Sequence, residues 1–299
     1  MGVKKLADGA FKETIEKSVS DYLGKQFKIL SIKNNNVGAM HDAAIFIGEN
    51  DKVFVKAGTN PFSFDQFTQE AWGLNYIRSN SQVITPDVID VLNVGGTALL
   101  IMEAVDVKPV ETKKDWEALG IGLATLHKSC WNKCGLETHS YLGVFRQDNR
   151  PMDTWEEFFG ERRLRDTMKM AVDAGNMTYR QCLPVEKLIN KLPQICGQAQ
   201  AFSLLHGDPW PGNLLFDGKK MIAIDCGIYY GNREIDLSTV DFFYPVPEHF
   251  FNAYHEVYPI DPGYKERKSL WQINQWLGHV TLFGEKYMQK LMDAVNIYL

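Results

Sequence analysis

Long apolar runs are missing from this chain. The longest, Ala98 to Met102 with its flanks, falls far short of the ~20 residues a membrane-spanning helix needs. An excess of positive charge is missing too. The net charge of −5 provides no global field to hold nucleic acid or an anionic membrane, while leaving room for a local basic patch. Cysteines are few. Cys130, Cys134, Cys182, Cys196 and Cys226 form an odd, scattered set of 5, unlike the paired spacing of a secreted disulfide framework. Cys130 and Cys134 lie four apart, but no second ligand pair follows to complete a zinc site. Free, mostly buried thiols in a reducing cytosol are the expectation. Behind Met1-Gly2-Val3-Lys4-Lys5 comes Leu6 rather than an apolar run, which argues against a signal peptide, and Leu6 also breaks the myristoylation pattern. A cytoplasmic location is expected by default. No internal repeat or low-complexity linker stands out.

What is present is an ordinary globular composition. With 45% hydrophobic and 23% charged residues in 299, the chain can bury a substantial core as one large domain or two ordinary ones. Phe11, Ile15, Val19 and Leu23 recur at helical spacing. Strand-like segments follow at Phe27 to Ile32, Ala43 to Ile47 and Val53 to Val55, with a turn at Asn34-Asn35-Asn36. A helix is predicted from Phe64 to Ile77. Val88 to Val94 and Ala98 to Glu103 read as a hairpin turned by Gly95-Gly96. Beyond Glu103 the pattern turns helical: Trp116 to His127, Thr154 to Ala174, Val185 to Gln194, and Pro247 to Ile297. A short strand-loop-strand region from Ser203 to Asp225 interrupts it. The expectation is an α+β fold: a small strand-rich lobe (1–103) with one inserted helix, and a larger, mainly helical lobe (104–299). A ligand would occupy the cleft between them.

The chemistry concentrates in His206-Gly207-Asp208-Pro209-Trp210-Pro211-Gly212-Asn213. Asp208 and Asn213 stand five apart, the spacing of the protein-kinase catalytic loop, where the aspartate receives a hydroxyl proton and the asparagine holds a metal. One rigid loop must bring both side chains to the transferred phosphate, one facing the nucleophile and the other the magnesium. Leu214-Leu215-Phe216 and Met221-Ile222-Ala223-Ile224 then lead to Asp225, placed like the second magnesium ligand of kinases. Taken singly, these are ordinary turn residues; their order carries the reading. Upstream, Lys56 ends the run Val53-Phe54-Val55, where kinases keep the lysine that pairs the nucleotide phosphates. Glu70 follows on the next helix as its partner. Met102 and Glu103 end the strand whose backbone would meet adenine. The cosubstrates implied are ATP and Mg2+, the ion being suited to carboxylate, amide and phosphate oxygens.

Two departures separate the chain from protein kinases. Gly207 stands where an arginine often reads a phosphorylated activation loop, and no long loop ending in Ala-Pro-Glu follows Asp225. The helical block between Glu103 and Ser203 would instead form a pocket for a small substrate.

The sequence Leu204-Leu205-His206-Gly207-Asp208-Pro209-Trp210-Pro211-Gly212-Asn213 resembles the catalytic loop of the fructosamine kinases, within the aminoglycoside-phosphotransferase superfamily. Glu70-Ala71-Trp72-Gly73-Leu74, Leu123-Ala124-Thr125-Leu126-His127, Tyr230-Gly231-Asn232-Arg233-Glu234-Ile235-Asp236-Leu237 and Phe283-Gly284-Glu285-Lys286-Tyr287 resemble further segments of that family in the same order. The resemblance implies a protein-kinase-like fold and ATP-dependent phosphorylation of a sugar hydroxyl on a ketoamine, small or protein-bound. The product then sheds the sugar, which is deglycation. Carried over, Asp208 is the general base, Asn213 and Asp225 bind magnesium, and Lys56 and Glu70 position phosphate. Gly38 belongs to the phosphate loop and Trp210 to the substrate side.

That loop, Val37-Gly38-Ala39-Met40-His41-Asp42-Ala43, departs from the family's Gly-Gly-Asp-Ile-Asn-x-Ala by one glycine and by His41. It also lacks the cysteine that links chains in some members, so a disulfide dimer is not implied and the oligomeric state stays open. No nucleic-acid or membrane partner is expected. An aminoglycoside- or choline-type kinase and a non-catalytic nucleotide-binding protein remain alternatives. Trp271, Trp276 and Phe283 read as helix-packing core, His127 and His206 as structural, and Arg233 with Asp236 as an ion pair bracing the loop after Asp225.

Overall fold

A computed structural model describes residues 9–34, 41–197 and 201–299. Helix α1 (Gly9–Leu23) precedes strands β1 (Ser31–Asn34), β2 (Asp42–Ile47) and β3 (Lys52–Gly58), helix α2 (Ser63–Asn80), and strands β4 (Val88–Val94) and β5 (Thr97–Glu103). The strands form one antiparallel sheet in the order β1-β2-β3-β5-β4. The β4–β5 turn is made by Gly95 and Gly96 at φ +57° and +84°, the doubly left-handed turn that suits strand twist and that glycine permits without steric cost.

Side chains alternate across this sheet with period two. Val53, Val55 and Ala57 of β3, with Leu99 and Ile101 of β5, pack under α1 against Ile15 and Val19. The intervening Ala98, Leu100 and Met102 join Phe67, Ala71, Leu74 and Ile77 of α2 on the other face. Lys56, between Val55 and Ala57, is thereby turned toward α2 and the cleft.

The first strand is shifted from expectation. Phe27 is buried, but the segment leading to β1 is tied to α1: the Phe27 amide donates to Ser20 Oγ (2.8 Å) and the Ile29 amide to the buried Glu16 carboxylate (2.9 Å). Pairing with β2 therefore starts only at Ser31. Of the Asn34–Asn36 turn, Asn34 ends β1 and the rest lies outside the described residues.

The remainder is mainly helical. It contains α3 (Lys113–His127), β6 (Cys130–Trp131), β7 (Ser140–Leu142), β8 (Phe145–Gln147), α4 (Trp155–Phe158), α5 (Asp166–Asp173), α6 (Tyr179–Ile189), α7 (Leu192–Ile195), β9 (Phe202–Leu205), β10 (Leu214–Phe216), β11 (Met221–Ala223), β12 (Tyr229–Gly231), α8 (Glu234–Val240), α9 (Glu248–Val257), α10 (Tyr264–Phe283) and α11 (Met288–Asn296). Strands β12-β9-β6 form a small sheet, and β10–β11 and β7–β8 are hairpins. The helix expected over Thr154 to Ala174 is real but carries a π segment, Phe159–Arg165. There Arg163 is fully buried, its guanidinium 3.9 Å from the Tyr229 ring centroid and 2.6 Å from Asn149 Oδ1. Helix α6 begins six residues before the expected Val185. Thr178 and Gln181 form a capping box, and the helix runs through Pro184. Among the described residues no helix is long and apolar enough to cross a membrane.

Candidate active site

The site is built on two short turns held face to face. After β9 the chain enters Gly207 at φ +88°, where a Cβ would sit 2.3 Å from the Gly227 carbonyl oxygen. The two segments also share a hydrogen bond from the Gly227 amide to the His206 carbonyl (2.9 Å). Glycine at 207 is thus a steric requirement, beyond the mere absence of an arginine. Beneath the turn, the buried Asp236 carboxylate accepts from the His206 amide (2.7 Å), the Gly207 amide (3.1 Å) and His127 Nε2 (3.1 Å). His127 Nδ1 lies 2.7 Å from the Tyr254 hydroxyl. His127 and His206 are both fully buried, and His206 Nδ1 accepts from the Asp208 amide (3.3 Å). The expected Arg233–Asp236 pair does not form: Arg233 donates to Tyr254 Oη (3.1 Å) and to the carbonyls of Tyr258 and Pro259. Asp236 braces the loop before Asp208, not the one after Asp225.

Held this way, Asp208 faces the cleft. Asn213 Nδ2 donates to the Asp208 carbonyl (3.0 Å) and to its carboxylate (3.1 Å). Burial, then the negative charges of Asp225 and Asp236, push the Asp208 carboxyl up to about 7, against a smaller lowering by Asn213. Asp225 adopts φ +54°, the one non-glycine residue in the left-handed region among those described. Its carboxylate projects into the cleft.

Lys56 Nζ donates to Glu70 Oε1 (2.7 Å) and to Asp225 Oδ1. Desolvation lowers the lysine, but the two carboxylates outweigh it and its pKa rises. Burial raises Glu70, Lys56 opposes this, and Asp225 adds to it, for a net increase. At Asp225 the pairing with Lys56 overcomes burial and holds the carboxyl low.

Lys56, Glu70, Asp208, Asn213 and Asp225 line one cavity of about 480 Å³, within the usual range of a ligand pocket. Its apolar part is made by Ile45, Phe54, Met102, Leu215 and Ile224, and Trp210 lines it near Asp208. The Glu103 amide donates to the Asp87 carbonyl (2.8 Å), and the Asp87 amide donates to the Glu103 carboxylate (3.4 Å). Gly38 lies outside the described residues. Lys56, Glu70, Met102, Glu103, Asp208, Trp210, Asn213 and Asp225 are all brought together here.

Among the described residues, the helices between Glu103 and Ser203, expected to form a substrate pocket, contribute no lining side chain to this cavity. From that block the cavity takes Ser140, Tyr141 and Gly143 of the β7–β8 hairpin, besides Ala104, Val105 and Val107. This hairpin reaches α2: Tyr141 Oη donates to Asp65 (2.6 Å), Gln66 Nε2 to the Gly143 carbonyl (2.8 Å), and His139 Nε2 lies 2.7 Å from Asp65. Gly143 is a turn signal between two apolar pairs, but three-residue strands give little periodicity to detect.

A five-stranded lobe whose lysine–glutamate pair faces an Asp–Asn loop across a cavity defines the protein-kinase-like fold. The same fold occurs in an aminoglycoside phosphotransferase solved as a ternary complex with ADP and hygromycin B, with TM-score 0.62, 14% identity, and coverage of 94% of this chain and 97% of that one. The family model described as fructosamine kinase matches residues 11–299, and the chain belongs to that family. A probable ketoamine kinase of Synechocystis is 29% identical over 95% of each chain. A chloroplastic protein-ribulosamine 3-kinase of Arabidopsis thaliana is 29% identical, covering 92% of this chain and 85% of that protein. The crystal structure of a presumed fructosamine-3-kinase from Thermobifida fusca superposes with TM-score 0.82 at 27% identity, covering 95% of this chain and 98% of that one.

Proposed function

We propose that this protein transfers the γ-phosphoryl group of ATP to a sugar hydroxyl of a ketoamine, small or protein-bound, as the first step of deglycation. The observation that carries the reading is the convergence of Lys56, Glu70, Asp208, Asn213 and Asp225 on one cavity in a chain of the fructosamine kinase family. The division of the chain into nucleotide-binding (1–103) and catalytic (104–299) lobes is part of the proposal. So is a cytoplasmic setting, where ATP is at hand and the buried thiols of Cys134, Cys182, Cys196 and Cys226 stay reduced.

Asp208 accepts the hydroxyl proton as the oxygen–phosphorus bond forms and the bond to ADP breaks. Asn213 orients the Asp208 carboxylate through its amide. Lys56, held by Glu70, meets the nucleotide phosphates, and its transfer from Asp225 to them frees that carboxylate. The donor set fits magnesium: Asp225 and the Asn213 side-chain carbonyl are hard oxygen donors. Among the described residues no group of three or more His, Cys, Asp or Glu side chains could hold a metal alone, so phosphate oxygens would complete the shell. Magnesium bound there would offset the phosphate charge. Met102 and Glu103 flank the adenine end, and Trp210 meets the sugar. Rate acceleration comes from positioning and charge compensation more than from covalent chemistry.

The test is ATP turnover with ribulosyl-lysine, fructosyl-lysine, kanamycin and choline. Turnover with a ketoamine and not with the other two supports the proposal; the reverse, or tight ATP binding without turnover, sinks it. In the same assay Asp208→Ala lowers turnover at least ~100-fold, the low end for losing a positioned base.

A further inference from the structure

An aromatic shelf runs out of the cleft beside Asp208. Trp210 lies edge-on to Phe243 with ring centroids 5.9 Å apart, Phe243 is 5.8 Å from His279, and His279 is 5.9 Å from Phe283. Phe243 and Phe283 are 53% and 58% exposed, with Tyr244 and Leu282 exposed beside them. Phe283 is therefore not the helix-packing core the sequence suggested, whereas Trp271 is fully buried. Phe145 of the β7–β8 hairpin lies beside Gly278, the residue before His279: a Cβ on Gly278 would meet it at 3.8 Å, an ordinary contact. These rings are recruited from the loop after α8, the C-terminal half of α10 and the catalytic loop, so the surface is assembled by the fold, and Trp210 at its inner end also lines the catalytic cavity.

The deeper rings of the cluster already accept cations. Lys290 Nζ stands 5.1 Å from the Trp276 centroid and 5.8 Å from that of Tyr287. Among the described residues no lysine or arginine lies over Trp210, Phe243 or Phe283. Those faces are free for a ligand cation.

Ketoamine geometry matches this placement. The amine nitrogen is on carbon 1 and the first hydroxyl beyond the ketone on carbon 3, so four bonds of about 1.5 Å separate oxygen from nitrogen, roughly 5 Å. With the hydroxyl at Asp208, the nitrogen cannot leave the neighbourhood of the catalytic loop, where Trp210 follows two residues later. That nitrogen is a secondary ammonium, and its substituent must continue over whatever surface adjoins.

Resting on the functional reading above, we infer that Trp210, Phe243, His279 and Phe283 form the subsite for the amine carrier. It takes ketoamines whose ammonium, and the apolar or aromatic group next to it, lie on the ring faces. Because the shelf is open on one side, it accepts a side chain that projects from a larger body as readily as a free amine.

The experiment compares two ketoamines of the same ketose, one built on benzylamine and one on ethylamine, with the wild-type protein, Phe243→Ala and Phe283→Ala. The wild type prefers the benzylamine adduct in kcat/KM. Each variant loses that preference by roughly 5- to 10-fold, the worth of one aromatic contact, and the loss appears in KM more than in kcat. Titration of tryptophan emission by each adduct without ATP gives the same order of affinities. Melting temperature and ADP affinity establish that the exposed substitutions leave the fold intact. An equal loss on both adducts, or a preference that does not change, overturns the subsite while leaving the kinase reading in place. Turnover of neither adduct by the wild type overturns that reading, and the subsite with it.

Discussion

Replacing Gly207 by alanine separates two costs that a glycine can hide. The first is conformational: at φ +88° an L-residue loses about 1–2 kcal/mol relative to its preferred regions. The second is steric and particular to this place, because the new Cβ would lie 2.3 Å from the Gly227 carbonyl oxygen and 2.8 Å from its carbon. A carbonyl cannot rotate away as a side chain can. Gly227 is itself hemmed in, since a Cβ there would meet the Tyr141 carbonyl at 2.5 Å. Relief therefore requires the two turns to part. That sacrifices the Gly227–His206 hydrogen bond, about 1 kcal/mol, and adds an overpacking cost of about 1–3 kcal/mol. The total is about 4 kcal/mol. Gly95→Ala is the control, because Gly95 sits at φ +57° with nothing within 4 Å of the added carbon, and it should cost only about 1–2 kcal/mol. At ~2.1 cal/mol/K per residue, the whole chain loses roughly 0.6 kcal/mol of stability per kelvin near its midpoint. Gly207→Ala should then melt about 6 °C below the wild type and Gly95→Ala about 2 °C below. Turnover should fall at least ~10-fold in Gly207→Ala alone, because Asp208 moves with the loop. Calorimetry and steady-state turnover on the two variants check this. Equal melting shifts, or wild-type turnover in Gly207→Ala, would refute the argument that the Gly207–Gly227 approach positions the base.

Two further outcomes follow from the charges. Because Asp208 is raised to about 7 and must be ionised to accept a proton, kcat/KM should rise with pH and level off above about 7. For stability the sign is opposite: a folded carboxyl that keeps its proton to higher pH than the unfolded one makes stability fall as pH rises from about 4 to about 7. Asp208→Asn should flatten that fall, which denaturation curves across the range would measure. Lys56→Met leaves Glu70 and Asp225 facing each other without their shared cation. It should lower turnover at least ~100-fold and destabilise the protein by about 3–5 kcal/mol at pH 8. The penalty should shrink at pH 5, where the carboxyls take up protons, and urea denaturation at the two pH values would show it.

Residue order along the chain already pointed to the fold class, to Asp208 with Asn213 five residues on, and to Lys56 and Glu70 as a pair. Each is a local rule: a strand end, the next helix, one rigid loop. Alternation along β3 even decides that Lys56 faces α2, because its neighbours Val55 and Ala57 occupy the opposite core. Elements with weak local signals were harder to read. The β7–β8 hairpin is too short for periodicity, and α6 starts at a capping box ahead of a proline that reads as a boundary.

Contacts between residues distant in sequence were decided only by the tertiary structure. Asp236 bonds to the amides of His206 and Gly207 rather than to Arg233, which lies nearer in sequence, because β12 and β9 pair and bring α8 under the catalytic turn. The exposure of Phe283 depends on where α10 ends. Gly207, which the sequence marks as a missing arginine, acquires its physical meaning only when Gly227 is folded against it. Spacing along a chain specifies which groups one loop can present together. Which backbone approaches that loop, and how closely, depends on packing that spacing does not encode.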